Sequence, residues 1–236
     1  MSKLKIKRFI QEPGHCAISS SATVGNYYDK SIDYEKAKII SQKKIERDSS
    51  LGLETGEIGS LLNYLGFNKV TIISSNLFYL DYSWARLSKK NLITNLEIAR
   101  NKVSVDYRSS CNTVYKFLKL CDYDNNLIID FKFGDYIKET LDKKNPLILT
   151  FNWSMFFRYP KYNDKNLEDA IKGDVEEHAV VAYGYNKKGI NVCDSHHQYY
   201  KYKLKKYRKG FYTISWENLM SIMGYGDLII PECFNN

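Results

Sequence analysis

The stretch QEPGHC, at residues 11–16, gathers residue types that can perform nucleophilic catalysis near the start of a 236-residue chain. A cysteine becomes a good nucleophile only as a thiolate, which a neighbouring imidazole can generate by accepting the thiol proton. A side-chain amide beside the thiol can donate a hydrogen bond to the oxyanion that forms when a carbonyl is attacked. Cys16 is therefore a candidate nucleophile, and Gln11 a candidate oxyanion donor.

A histidine and an aspartate that could complete such a site lie in EEHAVVAYGYNKKGINVCDS, residues 176–195. His178 opens an apolar strand, and Asp194 follows the strand after the NKKG turn. Side chains alternate along strands, so pairing about this turn puts both residues on one face of the sheet. A three-residue loop with a left-handed Gly189 leaves them four residues apart along the ladder. A bulge or another loop register must then bring them together.

These motifs resemble those of the papain-like cysteine peptidase superfamily. A glutamine precedes a cysteine that opens a helix, and HAVVAYGY and a downstream aspartate follow much later. The chain is most similar to double-glycine, bacteriocin-processing peptidase-like domains, and EPGHCAISS is also similar to the nucleophile region of phytochelatin synthases. The resemblance covers residues 11 to about 220. It implies that Cys16 is the nucleophile, His178 the general base and acid, Asp194 the residue that orients His178, and Gln11 part of the oxyanion hole.

The chain departs from the family pattern at two positions beside the cysteine. Four residues separate Gln11 from Cys16, one fewer than the family usually has, and Ala17 stands where glycine is usual. Alanine fits a helix without difficulty. The shorter spacing requires a tighter turn, and Pro13 and Gly14 supply the residues for one, since proline fixes one dihedral angle and glycine accepts unusual ones.

Composition narrows the possible cofactors and location. The five cysteines are odd in number and form no C-x-x-C pair, which argues against a zinc ribbon or a disulfide scaffold and favours reduced thiols in a cytoplasm. CDSHH, at residues 193–197, has no second ligand cluster, so we expect no metal and no cofactor. The N-terminus lacks the apolar core of a signal peptide, and no apolar run is long enough to span a membrane.

Several functions are compatible with these residues. The leading expectation is a thiol acyl-transfer enzyme, a cysteine peptidase that cleaves a peptide or isopeptide bond in a peptide or protein substrate. Glutamine deamidation or transpeptidation would use the same acyl-enzyme. A different class, a non-catalytic binding module, could use the basic aromatic segment at residues 199–212 to hold an anionic partner. A solvated strand or loop is the simpler interpretation of that segment, so we do not expect a nucleic-acid partner.

The order of predicted elements indicates an α+β fold, because helices come first and strands with a few helices follow. We expect a single domain over residues 1–236. The resemblance implies a papain-like arrangement, with a helical half that carries Cys16, a twisted antiparallel sheet that carries His178 and Asp194, and a cleft between them. Helices are predicted from Cys16 onwards, over 31–46, from an N-cap at Thr55 to a stop at Gly66, and over 89–102, 111–121, 134–145 and 216–223; strands are predicted over 69–74, 146–153, 176–185, 190–195, 211–215 and 227–232.

Overall fold

The computed structural model describes residues 3–45, 52–158, 160–161, 168–173, 176–196 and 209–235. Its helices and one mixed sheet confirm the predicted α+β class. The helices are α1 (Cys16–Tyr28), α2 (Tyr34–Lys44), α3 (Thr55–Tyr64), α4 (Lys89–Ala99), α5 (Val105–Leu118), α6 (Phe133–Asp142), α7 (Trp153–Phe157) and α8 (Trp216–Ile222). The strands are β1 (Phe67–Ser74), β2 (Asn126–Ile129), β3 (Leu147–Asn152), β4 (Glu177–Asn186), β5 (Gly189–Cys193), β6 (Phe211–Ser215) and β7 (Asp227–Phe234).

The sheet in the described ranges has seven strands in the order β2-β1-β7-β3-β4-β5-β6. β1 and β2 run parallel, and the other neighbouring strands are antiparallel, as expected for a mostly antiparallel sheet. The parallel pair needs a long crossover, and the connection between β1 and β2 contains α4 and α5. The last strand, β7, lies in the middle of the sheet, between β1 and β3.

The central strands are buried as their sequences predict. All six residues of β3 are buried, which agrees with the continuous apolar run in PLILTFNW. The helix α1 is also buried over most of its length, from Ala17 to Asn26. Its small residues let it pack closely on β4, where the Ser20 hydroxyl donates to the carbonyl oxygen of Ala179 at 3.1 Å.

Helix α3 begins one residue earlier than predicted. The N-cap is Glu54, not Thr55, and the Glu57 carboxylate accepts a hydrogen bond from the Glu54 backbone N–H at 2.8 Å. Thr55 is the first helical residue, and its hydroxyl is used elsewhere. The stop at Gly66 agrees with the prediction, since this residue follows the C-cap with a φ of 115°.

Two other elements differ from the prediction. Helix α5 starts at Val105, six residues before the predicted start at Cys111, because the polar first turn gives no apolar periodicity. Strand β2 was not predicted, since it has only four residues and lies at the edge of the sheet, where two of its residues are only partly buried.

The hairpin between β4 and β5 also departs from the predicted loop. Asn186 pairs with Gly189, so the loop has two residues, not three. Gly189 has a φ of 157°, far from the roughly 60° of a left-handed turn residue. It allows close approach instead, because a Cβ there would lie 2.0 Å from the carbonyl oxygen of Ile214 in β6. A register shift between Ala182 and Gly184 adds a bulge to β4.

Candidate active site

Cys16 is the first residue of α1 and follows a tight turn. The backbone N–H of His15 donates to the carbonyl oxygen of Glu12 at 3.0 Å, and Gly14 has a φ of 76°. Proline at the second position and a left-handed glycine at the third are typical of a type II turn. The turn therefore places Cys16 where backbone N–H groups lack helical acceptors and the helix dipole favours negative charge.

The hairpin prediction needed either a bulge or another loop register to bring His178 and Asp194 together, and the structure has both. After the bulge, Val181 pairs with Cys193, which places Asp194 opposite Val180 and two residues from His178 on the same face. The two-residue loop and the bulge each remove one residue of the expected offset. The Nε2 atom of His178 lies 2.8 Å from Oδ1 of Asp194. Both side chains are buried, and Asp194 is completely inaccessible to solvent.

Cys16 and His178 form the other contact of this site. Hydrogen bonding to His178 is among the effects that set the pKa of Cys16, and since Asp194 occupies Nε2, the ring nitrogen left to face the thiol is Nδ1. Burial raises the pKa of Cys16, but the hydrogen bond and charge of His178 and the backbone of Ala179 outweigh it, so the pKa is lowered. Burial lowers the pKa of His178, but the charge and hydrogen bond of Asp194, with Cys16, raise it to about 10. Both shifts favour a thiolate beside an imidazolium.

The Asp194 carboxylate is held by donors on both oxygens. Oδ2 accepts a hydrogen bond from the Tyr212 hydroxyl at 2.7 Å, and Oδ1 accepts one from the backbone N–H of His196 at 2.8 Å. Arg8 binds backbone oxygens of the same segment. Its Nε donates to the carbonyl oxygen of Asp194 at 2.5 Å, and its Nη2 donates to the carbonyl oxygen of His196 at 2.6 Å. A carboxylate held this way keeps a fixed orientation towards His178.

Aromatic rings enclose the His178–Asp194 pair. The ring centroid of buried Trp153 lies 5.6 Å from that of His178 and 5.1 Å from that of His196. Phe151, opposite His178 in the sheet, lies 6.3 Å away in an edge-on arrangement. Such rings exclude water, and a lower local dielectric strengthens the attraction between imidazolium and carboxylate.

Gln11 is buried and bound to Ser195, the residue after Asp194. The Ser195 hydroxyl donates to Gln11 Oε1 at 2.6 Å, and the Gln11 backbone N–H donates to the Ser195 oxygen at 3.2 Å. Because Oε1 is engaged, the amide Nε2 is the end of the side chain left to act as a donor. The structure thus holds Cys16, His178 and Asp194 in one chain of contacts and fixes Gln11 next to the Asp194 segment.

Two further polar residues, His15 beside Cys16 and Asn152 at the end of β3, have structural partners. His15 is buried, with Nδ1 2.6 Å from the hydroxyl of Tyr34 in α2, and burial lowers its pKa. Asn152 caps α7 by accepting a hydrogen bond from the backbone N–H of Met155 at 2.8 Å. These contacts tie the Cys16 turn to α2 and the end of β3 to α7.

A second buried acid lies on the other side of β3 from His178. Asp227 opens β7, and the Thr55 hydroxyl donates to its Oδ2 at 2.5 Å. Burial and the charge of Glu54 raise the pKa of Asp227 against the hydrogen bonds of Ser74 and Thr55, and the result is about 6. A buried acid with a raised pKa makes the stability of the fold depend on pH.

The remaining expectations concern metals, membranes and the basic segment. In the described residues, no group of three or more His, Cys, Asp and Glu side chains is placed to hold a metal ion. No described helix has both the length and the apolar surface that a membrane crossing requires. Residues 197–208, most of the basic aromatic segment at 199–212, lie outside the described residues.

A cavity of about 740 Å³ is lined by α3 and α5, including Glu57, Tyr64 and Lys116, and contains none of the candidate residues.

Sequence reasoning missed the residues that support Asp194. Tyr212 lies in the FYTIS strand, where the alternation of buried Tyr212 and Ile214 gives its orientation but not its partner. Ser195 and Arg8 carry no motif, and their contacts join positions more than 180 residues apart in sequence. Only the fold brings such pairs together.

Comparisons of the chain with protein-family models, with curated proteins and with solved structures gave no match. The functional argument therefore depends on the geometry of the site.

Proposed function

We propose that the protein is a thiol acyl-transfer enzyme, a cysteine peptidase that cleaves a peptide or isopeptide bond with Cys16, His178 and Asp194. The observation that supports this most strongly is the continuous chain of contacts from a cysteine at a helix start, through a buried imidazole, to a buried carboxylate. A structural cysteine has no need of a charged partner, and a pKa lowered against burial is typical of reactive thiols.

The reaction begins with the Cys16 thiolate attacking the carbonyl carbon of the scissile bond. Negative charge then develops on the carbonyl oxygen, and the Cys16 backbone N–H at the start of α1 and the Gln11 amide are the proposed donors to it. The His178 imidazolium gives its proton to the leaving amine as the carbon–nitrogen bond breaks, which leaves a thioester on Cys16.

Deacylation uses the same residues in reverse order. Neutral His178 removes a proton from water, the resulting hydroxide attacks the thioester, and the thiol leaves as thiolate while the imidazole keeps the proton. Asp194 remains ionised throughout and stabilises the imidazolium. If ammonia is the leaving group the reaction is deamidation, and if an amine replaces water it is transpeptidation, so the acyl-enzyme alone does not select among them.

The papain-like arrangement is part of the same proposal. It is supported by the helix that begins at Cys16, by the antiparallel strands β4 and β5 that carry His178 and Asp194, and by the packing of α1 on β4. The likeness in motif order along the sequence adds to this support.

Selective alkylation tests the proposal without a known substrate. At pH 6, iodoacetamide should label Cys16 before the exposed cysteines Cys121 and Cys233, as read by peptide mass spectrometry. Cys16→Ala should abolish turnover of a peptide library, whereas the matched variant Cys233→Ala should retain it. Equal labelling of all three cysteines, or full turnover in Cys16→Ala, would refute the proposal.

A further inference from the structure

The chain that leads to the nucleophile also grips the segment that carries the acid. Residues 3–11 run beside β4 and the end of β5, starting with a hydrogen bond from the Leu4 backbone N–H to the Tyr183 oxygen at 2.8 Å. The arm ends at Gln11, five residues before Cys16, where Gln11 is hydrogen-bonded to Ser195. Between these two points, Arg8 makes its two short hydrogen bonds to Asp194 and His196.

The segment that Arg8 holds lies just beyond the end of β5. Asp194 follows the end of β5, so regular strand pairing no longer fixes it. Its backbone N–H donates to the Gly210 oxygen at 2.8 Å, and its side chain carries the contact with His178. Arg8 binds the carbonyl groups of both Asp194 and His196, and the N–H of His196 in turn donates to the Asp194 carboxylate. The guanidinium thus fixes the peptide groups that aim the carboxylate.

The fold leaves specific room for the guanidinium. A Cβ built on Gly210 would lie 2.1 Å from Nε of Arg8 and 2.5 Å from the Asp194 oxygen. Gly210 also has a φ of 69°, in the left-handed region that favours glycine. The planar guanidinium therefore lies against the Gly210 backbone, where no side chain is in the way. Its fork of N–H donors can reach two carbonyl oxygens from this position, which a single ammonium group cannot do.

We propose that Arg8 is a positioning residue, which holds the Asp194–His196 segment so that the Asp194 carboxylate meets Nε2 of His178. The inference depends on the proposed function, because it assigns Arg8 to the support of that same site. The hydrogen bonds of Arg8 go to the backbone of the Asp194–His196 segment, so it acts on His178 through Asp194.

The sign of one measurement separates positioning from a simple charge effect. The groups that act on His178 are Asp194 and Cys16, and the His196 ring lies 6.0 Å away. If Arg8 acted only as a nearby positive charge, removing it would raise the pKa of His178. If Arg8 holds Asp194 in place, removing it weakens the carboxylate contact and lowers the pKa of His178.

The experiment is an NMR titration of the His178 ring in full-length wild type, Arg8→Met, Arg8→Lys and Lys5→Ala. Arg8→Met keeps an apolar stem but has no donor, and we expect the His178 pKa to fall by about one unit or more. Arg8→Lys, whose ammonium cannot match the forked contact with the two carbonyl groups, should give an intermediate value. Lys5→Ala removes an exposed cation from the same arm and should leave the titration unchanged.

An Arg8→Met titration that superimposes on wild type, or moves upwards, in a protein with an unchanged circular dichroism spectrum would overturn the inference. If Arg8→Met does not fold, Arg8→Lys decides, and a His178 pKa equal to or above that of wild type would overturn it equally. Selective alkylation of wild-type Cys16 reports on the proposed function separately. Selective labelling with no Arg8 effect refutes only the role of Arg8, whereas unselective labelling refutes the enzyme itself.

Discussion

Replacing Asp227 by asparagine should stabilise the protein at neutral pH and not at acidic pH. The side chain is 3% exposed, and its pKa is raised from 3.8 to about 6. A carboxyl with a raised pKa holds its proton more tightly in the folded state than in the unfolded state. The free energy of unfolding is therefore undiminished by this carboxyl below about pH 4. It falls as the pH rises to about 6, where the folded carboxyl ionises.

The size of the effect follows from the shift. A difference of about two pKa units corresponds to about 3 kcal/mol of folding free energy lost above pH 6. Asparagine carries no charge to bury and can still accept the hydrogen bond from Thr55 through its amide oxygen. Allowing for imperfect packing of the amide, we expect Asp227→Asn to gain roughly 2 kcal/mol at pH 7.5 and about nothing at pH 4.

Urea denaturation of wild type and variant at pH 4 and pH 7.5 measures both values, provided that the slope against urea stays the same. Asp122→Asn is the matched control, because Asp122 is exposed, and its effect should stay within about 0.5 kcal/mol at both pH values. A stability difference between Asp227→Asn and wild type that is the same at pH 4 and pH 7.5 would show that the carboxyl does not titrate as the structure requires.

Three other predictions concern the site and its support. Asp194→Asn should lower the pKa of His178 from about 10 by at least about one unit in an NMR titration, because the opposite charge on Nε2 is lost; an unchanged titration would contradict the role of Asp194. Ser195→Ala should reduce peptide turnover by roughly 10-fold and Gln11→Ala by roughly 100-fold, and the double variant should be no slower than Gln11→Ala if Ser195 acts only by orienting that amide. Gly56→Ala should destabilise the fold by about 2 kcal/mol or more in urea, since a Cβ there would lie 2.2 Å from the Thr113 backbone, whereas an equal stability would show that α3 and α5 can separate without cost.

The sequence predicted the residues of the site better than their supports. Cysteine, histidine and aspartate were found from residue type and order, and the Pro13–Gly14 turn was predicted from backbone preferences that act within a few residues. The sequence predicts that His178 and Asp194 are offset along the strands, but it does not predict how the hairpin closes that offset. The same NKKG letters fit a three-residue loop and a two-residue loop followed by a bulge. The sequence predicts Gly189 as a turn residue, but the structure uses it to let β6, a strand more than 20 residues later, approach closely.

The errors in the fold have a similar origin. The short edge strand β2 buries only part of its surface, so it has neither the length nor the alternation that marks β4 or β3. Helix α5 begins in a polar turn, and its register is set by the contact with Gly56 on α3. The pattern of apolar residues identifies helices and strands that bury a whole face. It misses elements that are positioned by contact with a single neighbouring helix or strand.

The central place of β7 governs when the sheet can be completed during synthesis. In the described residues up to 226, β1 pairs only with β2, and β3 to β6 form a separate group, so no strand hydrogen bonds join the two halves. Among the described strands, β7 is the one that pairs with both halves, with β1 on one side and β3 on the other. A nascent chain that ends before Asp227 has two open strand edges and an incomplete sheet behind the cysteine, a state prone to aggregation. The sheet behind Cys16 is therefore complete only after β7 has left the ribosome.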